Sequence, residues 1–256
     1  MIGTGGPALR IGPRHRSRRP RRPWQRPPGG PPPSPARRLT GAVTEIVVVV
    51  AIALVLSLFI KSFLVQAFSI PSGSMENTLL VGDRVLVNKL PGRLGELHRG
   101  DPVVFKDPGG WLTEHPPPPS GGLLGQVLTF VGLLPQDAGT HLIKRVIGLG
   151  GDTVACCDTR GRVRVNGVGI DEPYVFPGES PSLRTFSVKV PAGQLWVMGD
   201  HREVSEDSRA HQNLRGGFVP VADVVGRAFV IVWPFGRIAG LGLDDAVFAR
   251  VPDRPR

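Results

Sequence analysis

Acidic residues are absent from the first 44 positions, cysteines number two, and lysines number five against 26 arginines. Each scarcity excludes something. Ten arginines (Arg10, Arg14, Arg16, Arg18, Arg19, Arg21, Arg22, Arg26, Arg37 and Arg38) precede the first acid, Glu45, and account for the net charge of +10. Behind them bases and acids balance, so the chain lacks the basic surface that a nucleic-acid-binding domain needs, and that class is excluded. Cys156 and Cys157 are adjacent. Neighbouring cysteines do not meet ordinary bridge geometry, so no disulfide framework is expected and both read as simple buried residues. Without a CxxC pair, and with six scattered histidines, a structural zinc module lacks its ligands. Apolar residues at 41% suffice for a core, and 256 residues allow one large domain or two small ones.

The first 41 residues carry ten prolines as well as the ten arginines. Such a composition cannot bury enough apolar surface to offset chain entropy, and it reads as a disordered tail. From Ile46 to Ile60 every residue except Ser57 is apolar, and with the flanks the stretch over 43–65 reaches about the 20 residues that span a ~30 Å hydrocarbon core. The run is apolar on every side, which speaks against a buried helix of a soluble protein, and Lys61 lies near its far end, where it can snorkel. Arginines before the run and a single lysine after it place the N-terminus in the cytoplasm and residues 67–256 outside. The alternative is a cleaved leader ending at Val65-Gln66-Ala67. The long leading region and Lys61 favour an anchor instead.

Beyond the run, short β-branched or alternating segments recur at 84–87, 102–105, 162–165, 186–190, 195–198 and 228–233 and read as strands. Asn166-Gly167 supplies a primed hairpin turn. Residues 107–140 break this rhythm with Pro-Gly signals, a run of four prolines and a 13-residue apolar stretch over 122–134, too short to span a bilayer. They read as an insertion loop or a short interfacial helix.

Three segments hold candidate chemistry. In Pro71-Ser72-Gly73-Ser74-Met75 two serines flank a glycine whose freedom allows a sharp turn. A serine there needs a base. In a chain this poor in lysine, Lys144 stands in an apolar strand, His141-Leu142-Ile143-Lys144-Arg145-Val146, where burial favours the neutral amine. An arginine could not serve, because it does not lose its proton. The third segment, Gly199 to Arg209, is a dense polar loop; Asp200, Glu203 and Asp207 match no metal-binding spacing.

Taken in order, Pro71-Ser72-Gly73-Ser74-Met75, Gly82-Asp83, Arg99-Gly100-Asp101, Lys144-Arg145-Val146-Ile147-Gly148, Gly151-Asp152, Glu172-Pro173-Tyr174 and Gly199-Asp200 through Asp207-Ser208-Arg209 resemble the bacterial type I signal peptidases. These are membrane-bound serine proteases that remove signal peptides from exported preproteins. The resemblance implies Ser74 as nucleophile and Lys144 as general base. It implies an oxyanion hole from the Ser74 amide and the Ser72 hydroxyl, with Ser205 orienting the lysine and Asp207 and Arg209 bracing the site. Phe68, Ile70, Met75 and Ile143 would line pockets selecting alanine-like residues before the cut. No metal or cofactor is implied, and the partners are signal-peptide-bearing preproteins and membrane lipid. The implied fold is mainly β: an antiparallel β catalytic domain (67–152 and 198–240), a small β insertion domain (153–197), one transmembrane helix (43–65), the disordered tail (1–41) and a C-terminal tail (241–256).

The chain departs from the family's usual pattern at Asn77, Gly150, His201, Glu203 and Val204. His201 invites a Ser-His-Asp triad, although its loop position carries no base in the family. Two other functions compete. A membrane-anchored β-domain binding protein would explain the tail and anchor but not the ordered serines and lysine. A self-cleaving relative would need an internal site presented to Ser74.

Overall fold

The computed structural model describes residues 35–89, 97–112, 141–242 and 245–252. The chain divides into two units, 1–48 and 49–256. Within the first unit the described backbone is the start of helix α1 (Pro35–Phe63). Proline suits a first helical position, where its missing N–H has no partner to lose, and none follows before Phe63. Residues 35–41, assigned by composition to a disordered tail, are therefore helical; residues 1–34 lie outside the described set.

The expected transmembrane helix over 43–65 also ends differently. Val65 opens strand β1, because Val65, Gln66 and Ala67 pair with Asn88, Val87 and Leu86. The described side chains of α1 run from Val43 to Leu58. Among the described residues, no helix is long and apolar enough to cross a membrane.

The second unit is mainly antiparallel β, as the strand periodicity predicted. Its strands are β1 (Val65–Ser69), β2 (Arg84–Asn88), β3 (Pro102–Lys106), β4 (His141–Leu149), β5 (Thr153–Cys156), β6 (Val163–Val165), β7 (Val168–Gly169), β8 (Phe186–Lys189), β9 (Gln194–Met198), β10 (Val219–Pro220), β11 (Val224–Trp233) and β12 (Ala239–Gly240). The larger sheet runs β1-β2-β11-β3-β4-β9-β10, with β12 paired to β11. The smaller runs β7-β6-β5-β8. Asn166 and Gly167 both take positive φ between β6 and β7, the backbone that a primed turn demands.

β4 holds the architecture together. Central in its sheet, it pairs with β3 and β9, and every residue from Ile143 to Leu149 is buried. It feeds three apolar clusters: Ile143 with Phe68, Ile70, Met75 and Val87; Val146 with Val103, Phe105 and Trp111; Ile147 with Val154, Trp196 and Phe186. The segment 241–256, set apart as a tail, is not loose throughout. Helix α2 (Asp245–Phe248) and the turn after it place Phe248 and Val251 in the cluster around Trp196.

Two further expectations shift. Cys156 and Cys157 are not simple buried residues. They form a vicinal disulfide, joined across a cis peptide bond that brings their Cα atoms to 3.0 Å. Of the insertion at 107–140 only 107–112 is described. There the Asp107 carboxylate accepts the amides of Gly109, Gly110, Trp111 and Leu112, seating Trp111 edge-on against Phe105 and flat on His211. The apolar stretch 122–134 lies outside the described residues.

Gly226 sits at an irregularity in the β11 ladder, where a Cβ would drive into the backbone of Asn88 and Lys89. Gly226→Ala should therefore push β2 from β11 and cost about 1–3 kcal/mol, the usual range for overpacking. Urea denaturation checks this; an unchanged midpoint would contradict the close approach.

Candidate active site

Strand β1 delivers the chain into a single 3-10 turn, Gly73–Met75, that presents Ser74. From the centre of the large sheet, Lys144 on β4 meets it: Nζ lies 2.5 Å from Ser74 Oγ, and both side chains are buried. Burial pushes the lysine pKa from 10.5 down to about 8; the charges of Asp207 and Asp200 work against that shift, and Arg209 assists it. A lysine at this position is thus largely able to exist as a neutral amine under mildly alkaline conditions, within hydrogen-bond reach of a hydroxyl.

What keeps Lys144 from being captured as half of an ion pair is the arginine nearby. Burial alone would raise Asp207, yet Arg209 and the Gly199 amide hold its carboxyl below the usual range. Arg209 Nε and Nη2 donate to the two oxygens at 2.9 and 2.7 Å, and Gly199 N–H donates at 2.9 Å. The same device recurs nearby. Arg145 grips Asp200 through two bonds of 2.8 and 2.7 Å, with Thr78 Oγ1 donating to Asp200 at 2.6 Å, and Arg202 grips Glu172. Asp200 and Asp207 are therefore both committed to arginines.

A cavity of about 130 Å³ opens beside the pair, lined by Phe68, Ile70, Ser72, His141 and Ile143 as well as Ser74 and Lys144. That is well below the several hundred cubic ångströms of drug-sized pockets, so only a small group fits. Three of the four expected lining residues are there. Met75 is not: fully buried, it packs beneath the turn in the apolar cluster with Leu79 and Val85.

Ser72 Oγ lies 3.5 Å from Ser74 Oγ, on the same turn. Ser205 is brought close but not into the expected contact. Its hydroxyl is buried without a hydrogen-bond partner, packed where a Cβ on Gly199 would stand. His201 is no base for Ser74. Its ring nitrogens face Glu76 and Glu179 at 3.1 and 3.0 Å, which leaves no ring nitrogen directed at the serine hydroxyl.

The family described as "Signal peptidase, peptidase S26" matches residues 43–233. The chain is 40% identical over 227 residues to a signal peptidase I of Mycobacterium tuberculosis, covering 79% of this chain and 76% of that one. It belongs to the signal peptidase I family. A probable signal peptidase I of Mycobacterium leprae is 38% identical over 78% of this chain and 80% of the relative, and one from Pseudomonas aeruginosa is 31% identical over 72% and 71%. A solved signal peptidase I from Enterococcus faecalis V583 matches at 26% identity and a TM-score of 0.33, over 51% of this chain and 95% of that one. Membership makes this chain a type I signal peptidase, a hydrolase of the serine protease kind.

For a signal peptidase the missed residues are instructive. Gly199 opened a polar loop and a block of the resemblance but was given no role of its own, yet any side chain there would collide with Ser205 and with the Ser74 carbonyl. Asn77, noted merely as a departure from the family's pattern, has positive φ and donates its amide toward the carbonyls of Pro173, Tyr174 and Val175. The residue type was the available signal, since asparagine is among the residues that tolerate the left-handed region.

Burying Lys144 costs stability, and the sign is fixed. Its folded value near 8 lies below its ordinary 10.5, so the unfolded chain binds more protons between those values and folding strengthens as pH rises from 8 to 10.5. Lys144→Met should then be more stable than wild type by about 3 kcal/mol at pH 7, with the gap closing toward pH 10.5. Denaturation at both pH values tests this; a variant less stable at pH 7 refutes it.

Proposed function

We propose that Ser74 and Lys144 form a serine–lysine dyad that cleaves signal peptides from preproteins after a small residue, typically within Ala-X-Ala. The observation that carries this reading is the 2.5 Å approach of a buried, readily neutralised amine to the Ser74 hydroxyl. Neutral Lys144 takes the hydroxyl proton as Ser74 Oγ attacks the scissile carbonyl. The resulting ammonium passes that proton to the leaving amine, and an acyl-enzyme remains. Water, deprotonated by the same amine, then releases the signal peptide and restores the serine. The Ser74 amide and Ser72 hydroxyl serve the oxyanion, where a single donor is worth about 2.7–4 kcal/mol in other proteases. The small cavity lined by Phe68, Ile70 and Ile143 accounts for small-residue selectivity. Asp207 and Arg209 brace the lysine's surroundings, and Ser205 fills the space beside Gly199.

We further propose that α1 anchors the enzyme in the cytoplasmic membrane as a single pass, with the catalytic unit on the extracytoplasmic side. Apolar side chains from Val43 to Leu56 stand exposed along the helix. A second apolar patch, formed by Leu80, Val81, Trp233, Phe235 and Ile238, is exposed on the β unit, with Trp233 and Phe235 edge to face and Arg84 over the Trp233 ring. Paired aromatics beside an arginine suit a lipid headgroup boundary. We read the four-stranded sheet as the family's small insertion domain.

Purified protein in detergent should cut an Ala-X-Ala preprotein after the final alanine by product mass. Ser74→Ala, Lys144→Ala and Lys144→Arg should each abolish turnover; activity in Lys144→Arg would sink the dyad. In the wild type kcat/KM should climb through about pH 8 as Lys144 loses its proton, and a flat profile from pH 5 to 9 would refute a lysine base. If folded wild type cuts no preprotein even with lipid present, the binding-protein reading replaces this one.

A further inference from the structure

The turn that presents Ser74 is short, and its own hydrogen bonds are few: Glu76 N–H to Gly73 O at 3.0 Å, and Thr78 and Leu79 N–H to Met75 O. Residue 201 touches it at three further points. The His201 main-chain N–H donates to Ser74 O at 3.2 Å; Nδ1 lies 3.2 Å from Gly73 O and 3.1 Å from Glu76 Oε2. The Glu76 carboxylate in turn folds back over Gly73, close enough that a Cβ there would press on it. On its far side the imidazole reaches Glu179 with Nε2 at 3.0 Å, while its face stacks on Phe176, with centroids 4.2 Å apart and planes 10° from parallel. Glu179 Oε2 is itself held by the Glu203 amide at 3.3 Å.

We propose that His201 is a positioning residue. Its ring, wedged between Glu76 and Glu179 and stacked on Phe176, fixes the Gly73–Met75 turn and with it the Ser74 hydroxyl. The proposal rests on the reading of Ser74 as nucleophile. Geometry sets the chemistry. Carboxylates face both ring nitrogens, and a carboxylate only accepts, so the ring is the donor to whichever side it holds. The bridge thus ties the nucleophile's turn to the 171–181 segment. Misplacing a reacting group by about 1 Å can cost on the order of 100-fold in rate, so a loosened turn should be read in kcat.

The test is steady-state cleavage of an Ala-X-Ala preprotein by full-length enzyme. His201→Phe keeps the ring stack and removes both ring nitrogens; it should lower kcat about 10- to 100-fold with KM unchanged. His201→Gln, which supplies donors at one end, should recover part of the loss. Glu179→Gln should lower kcat by less, and the His201→Phe/Glu179→Gln double variant should be no worse than His201→Phe alone, because the two act through one bridge. Wild-type kcat in His201→Phe, a strictly additive double variant, or a rise in KM at constant kcat would each overturn the proposal. Should His201→Phe fail to fold, judged by its thermal midpoint, Glu76→Gln and Glu179→Gln carry the test alone, and wild-type kcat in both overturns it. Ser74→Ala separates the two failures. If it retains activity, the dyad reading falls; if it is inactive while the His201 and glutamate variants behave as wild type, only the positioning role falls.

Discussion

An amine buried without a carboxylate of its own is the constraint around which this molecule is arranged. Lys144 is in the middle of a central, largely buried strand, and the nearest acids are already held by guanidinium groups. Were Asp207 free to approach, the lysine would stay charged and could not accept a proton. The skew of composition toward arginine thus has a structural counterpart. Arginine makes forked bonds to Asp152, Asp200, Glu172, Asp207 and Asp83, a geometry lysine cannot match. Lys144 is the buried lysine among the described residues. The two cations are divided by task, one to neutralise acids and the other to be neutralised itself.

Around that constraint the sheets supply rigidity where it matters. Lys144 pairs with Val103 of β3, and its neighbour Arg145 with Met198 of β9, so a shift of β4 would move Lys144 and the Asp200 brace together. The serine has a lighter mounting, a single turn after an edge strand. Its carbonyl is met by the close approach of Gly199 and the amide of His201, both from the loop after β9. Ser74 and Lys144 therefore come from the edge and the interior of one sheet and are referred to each other by contacts through the fold rather than by proximity in sequence.

Much of this was legible before any coordinates. Alternation marked the main strands, the Asn166-Gly167 dipeptide fixed a hairpin, and the scarcity of lysine singled out Lys144. What could not be read depends on contacts distant in sequence. Nothing local tells that Val65 leaves a helical run to pair with Asn88, that Phe248 and Val251 return to pack near Trp196, or that Met75 faces the core and not the cavity. Ser205, expected to orient the lysine, instead has a buried hydroxyl without a hydrogen-bond partner beside Gly199. The pairing of Cys156 with Cys157 escaped for a different reason: adjacent cysteines do not ordinarily meet bridge geometry, and sequence alone gives no sign of an exception.

The contact from the His201 amide to the Ser74 carbonyl has a bearing on how such a site can diverge. A main-chain donor survives any substitution except proline, so Ser74 keeps that hold under every other change at position 201. Position 199, by contrast, admits no side chain. One loop thus joins a position closed to side chains to one, two residues away, whose main-chain hold on the Ser74 turn outlasts a change of side chain even where the rate falls.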